Sequence, residues 1–268
     1  MSNAPAVMPT YRFSRAGWLH LNRATILAII SLGTVVLGWQ LASSFNIIDA
    51  FFLPPPSQIL TALIDVVRSP SFPKDLRTSG YEYGMGLGIS ILVGGTLGVL
   101  AGWYKAFDEL LKPLVIALNS IPNMALIPLL ILIFGIGPMS KIVLVLLSCI
   151  VVMQMNTQSG VENADAQLKR MARSFSANDK QMIRTVVLPS MVPFFMAGVR
   201  ICVGKAVVAV AVAELFGSTS GLGNILIKAQ AEMNMPVMYA VVVLLTIIGI
   251  TLTQLAAMLE RSLSRWKG

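Results

Sequence analysis

Long apolar runs separated by short polar stretches dominate the chain, and the lengths of the runs decide what they are. Runs over 24–45, 80–103, 113–135, 141–160, 190–214 and 236–259 are about as long as the ~20 residues a helix needs to cross a bilayer core. They are too continuous for the weak alternation of an outer-membrane barrel. Helices and closed barrels are the spanning structures that satisfy their own backbone groups in lipid. The pattern therefore predicts an all-α integral membrane protein with about six transmembrane helices.

Within the runs, two features stand out. Gly80, Gly84 and Gly88, then Gly94, Gly98 and Gly102, form two series at i+4 in the second run, each predicting a bare helix face for close approach. Pro122 and Pro128 in the third run remove backbone donors and predict a broken or kinked span. The fourth run ends in QMNTQSGV, where Gln154, Asn156, Thr157 and Gln158 add polarity.

Residues 171–189, MARSFSANDKQMIRTVVLP, interrupt the apolar pattern with charges and amides. Leu168, Met171, Ala172 and Phe175 stand at i, i+3, i+4 and i+7, one apolar stripe on a short helix. Met182, Ile183, Val186 and Val187 repeat the pattern after a gap. In that gap Ser176-Ala177-Asn178-Asp179 reads as a Ser N-cap with an acid three residues on. Two short amphipathic helices joined by a tight turn, ended by Pro189, are the expectation. Pattern alone leaves two destinations open: the membrane surface or another protein.

Composition agrees with the spans. Hydrophobic residues make up 56% and charged residues 12%, against about 25% charged in a soluble domain. The formal charge of +8 raises nucleic acid as a partner until the basic positions are placed. Arg12, Arg15, Arg23, Lys105, Lys112, Lys169, Arg170, Arg173, Lys180, Arg184, Arg261, Arg265 and Lys267 fall on one side of the predicted topology; Arg68, Lys74, Arg77, Lys141 and Lys228 fall on the other. The bias puts both termini and the polar stretch in the cytoplasm, and leaves no basic patch for nucleic acid. The first apolar run exceeds a signal-peptide core and lacks a clear A-x-A site, so it reads as an uncleaved anchor. Cys149 and Cys202 lie inside runs and read as small apolar packing residues. His20, the single histidine, reads as juxtamembrane.

The ordered motifs LPPPSQIL, IPNMALIPLLILIFGIGPMSKI, NTQSGV, ARSFSANDKQMIRTVVLPSMVPFFMAGVR and VAVAELFGSTSGLGNIL together resemble the membrane subunit of type I ABC importers, in the aliphatic sulfonate, taurine and nitrate branch. The resemblance runs over about 53–260. It implies a MetI-like bundle with a cytoplasmic coupling helix, in a bacterial inner membrane. It also implies a second permease copy (a homodimer), two cytoplasmic ATPase subunits that bind ATP and Mg, and an external substrate-binding protein. One transmembrane domain, 24–268, follows a cytoplasmic segment 1–23, with the coupling segment at about 163–189. Ala172, Arg173, Ser174, Phe175, Ala177, Asn178, Asp179, Gln181, Leu188 and Pro189 match the family's ATPase-coupling motif. Arg170 stands where the family usually has Glu, and Ser176 where it usually has Gly; Ser lacks the freedom of Gly at positive φ. Glu82 stands where the family often has Arg. It either pairs with Arg200 or faces an external vestibule.

Arg200, Lys205 and Glu214 lie in the fifth run, and ionisable groups in a span face the bundle interior or an aqueous path. Lys205 and Glu214 are separated by about 13 Å of helical rise, too far to pair. Two readings stay open: neighbouring helices satisfy these charges, or they contact the substrate path, in which case Lys205, lying deeper, is the better candidate for an anion. The resemblance places AELFGSTSGLG beside the external gate, and its Gly and Ser residues suit a re-entrant loop whose amides approach the cavity. The candidate translocation path or gate is Glu82, Asn119, Pro122, Asn123, Asn156, Arg200, Lys205, Glu214, Ser220, Gly221 and Gly223. No Walker A motif, HExxH, carboxylate cluster or activated nucleophile occurs, so no catalysis, cofactor or metal is expected in this chain. The expected cargo is a small anion such as a sulfonate, taurine, nitrate or related organic acid. The competing expectation is a stand-alone secondary transporter or channel.

Overall fold

The structure, a computed structural model, describes residues 16–45 and 49–263. The expected cytoplasmic residues 1–15 lie outside it, as do Arg265 and Lys267 and the side chains of His20 and Arg23. Every regular element among the described residues is helical: α1 Ala16–Ser44, α2 Pro56–Arg68, α3 Phe72–Trp103, α4 Lys105–Ser120, α5 Ile127–Phe134, α6 Pro138–Glu162, α7 Ala166–Ser174, α8 Asp179–Met182, α9 Leu188–Leu215, α10 Leu222–Ala231 and α11 Met235–Leu263. Contacts divide the chain into units 1–58 and 59–268. The first contains α1, whose apolar side chains from Ile26 onward are largely exposed. The second contains the helical core.

Among the described residues five helices are long and apolar enough to cross a membrane, and α4 with the segment Asn123–Phe134 passes the same test as a pair bent by 83° at the break between them. The prolines explain the bend. Pro122 forces the residue before it out of the helical region, and Ile121 is extended at φ −75°, ψ 128°. A short 3-10 turn, Asn123–Leu126, follows. Pro128 then sits in the first turn of α5, where its missing N–H removes no helical bond. Only Pro122 breaks the span; Pro128 starts the next helix.

The core is α3, α6 and α9, centred on Val145, Cys149, Met153, Cys202 and Ala206. The two thiols are free and each donates to the other residue's carbonyl, Cys149 Sγ at 3.5 Å and Cys202 Sγ at 3.4 Å. Glycine lets α3 and α6 approach to backbone contact. A Cβ at Gly94 would stand 2.7 Å from the Ile150 carbonyl oxygen, and one at Gly98 2.5 Å from that of Gln154. The upper series does not take part: Gly80, Gly84 and Gly88 meet nothing within 4 Å, and Gly86 supplies the contact there instead, against Val145. Period alone could not tell which face of α3 met α6.

Candidate functional site

Three places gather the polar residues: the turn between α7 and α8, a buried knot around Glu214, and a cleft at the break in the bent span.

Asp165 opens α7, its carboxylate accepting from the Gln167 amide at 2.7 Å. The helix closes at Ser176, which adopts φ 58°. The Ser176 amide donates to the Arg173 carbonyl at 2.9 Å and the Ala177 amide to that of Ala172 at 3.1 Å, the pair of bonds that defines a Schellman stop. Ser176 is thus the left-handed residue ending α7 and not the N-cap expected from the sequence. The N-cap is Asn178: its side chain accepts from the Gln181 amide at 2.8 Å while Gln181 accepts from the Asn178 amide at 2.9 Å, a complete capping box. Asp179, the acid expected to complete the box, is instead the first residue of α8. Pro189 does not end the helix. Residues Ile183–Val187 form a π turn that carries α8 into α9, and Pro189 falls in the first turn of α9, where a missing N–H is best tolerated. The apolar side chains of α7 and its turn are left uncovered, with Leu168 46%, Met171 56% and Phe175 82% exposed. Arg170, Arg173, Ser174 and Asn178 are exposed beside them.

At the opposite end of α9, Glu214 is fully buried. Its carboxylate accepts from the Ser79 hydroxyl at 2.5 Å and from the Gly223 amide at 2.6 Å. The Leu222 amide donates to Ser79 Oγ at 2.9 Å, and the Gly221 amide to the buried Asp75 carboxylate at 2.9 Å. These amides open α10, the end of a helix that favours negative charge. They face carboxylates and not a cavity, contrary to the sequence expectation. Gly221 sits at φ 119° with no room for a Cβ against Glu214. Ser220 adjoins the knot, its hydroxyl 3.3 Å from that of Thr78.

Glu82 neither pairs with Arg200 nor faces a vestibule. It is 1% exposed, beside Glu214 and within the field of Lys141. Lys141, also buried, donates to the carbonyls of Gly137 at 3.1 Å and Gly217 at 3.3 Å. Glu82, Glu214 and Lys141 are thus buried close together at this end of the core. Sequence pattern missed Lys141, Asp75 and Ser79 because each sits near a helix end that would pass for loop surface. Arg200 pairs instead with Glu260 on α11 at 3.3 Å, at the partly exposed edge of the bundle.

The third place is a cleft of about 500 Å³ where Lys205, from α9, meets Pro122 and Asn123 at the span break and Ser148 on α6. Of the candidate path residues it brings Pro122, Asn123 and Lys205 together. Asn119 is exposed on α4, and Asn156 is turned to its own helix, donating to the Val152 carbonyl at 2.8 Å. Nearer the end of α6 that leads to α7, Gln154 donates to Gln158, which donates to Asp108 and Glu162, joining α6 to α4.

Comparison with known proteins identifies the family. The family described as binding-protein-dependent transport system inner membrane component matches residues 94–265. The permease protein SsuC of Bacillus subtilis (strain 168), named for aliphatic sulfonates transport, is 30% identical over 99% of this chain and 94% of its own. The taurine transport system permease protein TauC of Escherichia coli (strain K12) is 28% identical over 92% of each chain. Among solved structures, an inward-facing MetNI methionine ABC transporter chain aligns with a TM-score of 0.56 at 21% identity, covering 79% of this chain and 98% of that one; it speaks for the fold alone. This chain, helical in every regular element of its described residues, belongs to the family of binding-protein-dependent transport system inner membrane components.

Proposed function

We propose that the chain is the permease subunit of an ATP-driven importer, forming in a homodimer the path for a small anion such as a sulfonate, taurine, nitrate or related organic acid. Two cytoplasmic ATPases bind the ATP and Mg, an external binding protein delivers the cargo, and both termini lie in the cytoplasm. The observation that carries this reading is the uncovered stripe ending in Phe175, 82% exposed on a doubly capped turn. A large aromatic held outward by a rigid turn suits a cleft on a partner.

ATP-driven closure draws the two copies of the turn together. α6 leads into α7, and α8 continues through the π turn into α9, so a pull at Phe175 rotates both spans. The far end of α9 carries Glu214, tied to α3 and α10; that end is the natural fulcrum of the outer gate. The turn, Arg170 through Gln181 with Leu188 and Pro189 behind it, is the lever. Reconstituted with its ATPase and binding protein in liposomes, the chain should take up radiolabelled ethanesulfonate or taurine only when ATP is supplied on the ATPase side. Uptake driven by an ion gradient without ATP would favour a secondary transporter and overturn the reading.

A further inference from the structure

Lys205 is exposed near the middle of α9, and among the described residues it has no acidic partner; the ion pair found there is Arg200–Glu260. A lysine at mid-span without a counter-ion sits badly in hydrocarbon and marks a water-filled path or a ligand. Its surroundings are built to receive a ligand. No acid lines the cleft; Leu144 and Val208 supply apolar walls, while Asn123 and Ser148 supply an amide and a hydroxyl. Pro122 breaks the helix here, and irregular backbone at membrane depth is tolerated where it is buried in protein or lines a cavity.

We propose that Lys205 is the counter-ion of the cargo during passage: the cleft between the span break and α9 is a transit site for a negatively charged head group, with Asn123 and Ser148 as hydrogen-bonding partners. The proposal rests on the importer reading and sharpens it, because it makes negative charge a requirement of the path itself and not of the binding protein alone. The single cation makes the site shallow, as a transit site must be if the cargo is to leave.

The test reads the charge of the cleft without needing the cargo or ATP. In membrane vesicles holding the whole transporter, Ser148→Cys is labelled with the anionic sulfonatoethyl or the cationic trimethylammonioethyl methanethiosulfonate, each rate normalised to free cysteine and to the parent chain. The sulfonatoethyl reagent carries the very head group at issue. With Lys205 present, the anionic reagent should be favoured at least about tenfold, as expected for one unscreened charge a few ångströms away. Lys205→Met should abolish the preference and Lys205→Arg should keep it, and Asn123→Cys should report the same order. A cysteine unreachable by either reagent at both positions, or a preference unchanged by Lys205→Met, would overturn the proposal. ATP-independent uptake, by contrast, would overturn the importer reading while leaving the labelling result intact.

Discussion

Ser176 and Asn178 divide one turn between two helices: Ser176, at φ 58°, stops α7, and Asn178 starts α8 with a capping box closed by Gln181. With both helix ends fixed within three residues, the turn is a rigid corner. The proposed lever requires that rigidity, since a flexible turn would absorb a displacement before it reached α6 and α9.

Ser176 holds a left-handed conformation that costs a residue other than glycine about 1 kcal/mol or more. Ser176→Gly should therefore stabilise the turn by about 1 kcal/mol, and Ser176→Val, with a branched side chain, should destabilise it by more. Amide hydrogen exchange at Ser176 and Ala177, whose N–H groups close the Schellman stop, checks both directions.

Asn178→Ala removes one half of the capping box and should cost about 1 kcal/mol of local stability. Because the box fixes the entry to α8, the larger effect should be functional: ATP is hydrolysed, but less cargo moves per ATP. The ratio of uptake to hydrolysis in proteoliposomes checks this, and an unchanged ratio would assign the box a purely local role.

Glu214 and Arg200 are both ionisable residues of α9 with partners, yet their substitution should differ sharply. Glu214→Ala orphans the buried Ser79 hydroxyl and Gly223 amide, a loss of about 3 kcal/mol. Arg200→Gln breaks a pair whose side chains are 44% and 21% exposed, and should cost no more than about 1 kcal/mol. Thermal unfolding in detergent separates the two.

The glycine faces of α3 make a matched pair of substitutions. Gly98→Ala places a methyl 2.5 Å from the Gln154 carbonyl oxygen and should destabilise the bundle by about 1–3 kcal/mol. Gly84→Ala meets open space and should be neutral or slightly stabilising in the isolated chain. Detergent unfolding of the two variants side by side gives the answer.

The spans were legible because their signal is length and polarity, which no tertiary contact can reverse. The apolar stripe from Leu168 to Phe175 was legible for the same reason, being a period along one helix. What escaped the sequence depends on through-space partners. Ser176 and Asn178 are both good caps, and only backbone geometry shows that Asn178 bonds Gln181 while Ser176 takes the left-handed position. Pro189 looked like a stop because the π turn that carries α8 into α9 leaves no mark in composition. Glu82 read as a partner of Arg200 or a vestibule charge, since the burial beside Glu214 and Lys141 brings together three helices that are remote in sequence.

The central claim is that the turn carrying Phe175 is the seat of an ATPase, and co-purification tests it most directly. Phe175 is so exposed that Phe175→Ala should leave the folded chain's stability within about 0.5 kcal/mol, as detergent unfolding can confirm. The wild-type permease should bring down the ATP-binding subunit of its transporter in stoichiometric amount, and Phe175→Ala combined with Met171→Ala should lose most of it while still inserting and folding. Undiminished recovery of the ATPase with the double variant, or a permease that purifies alone and transports without it, would contradict the account.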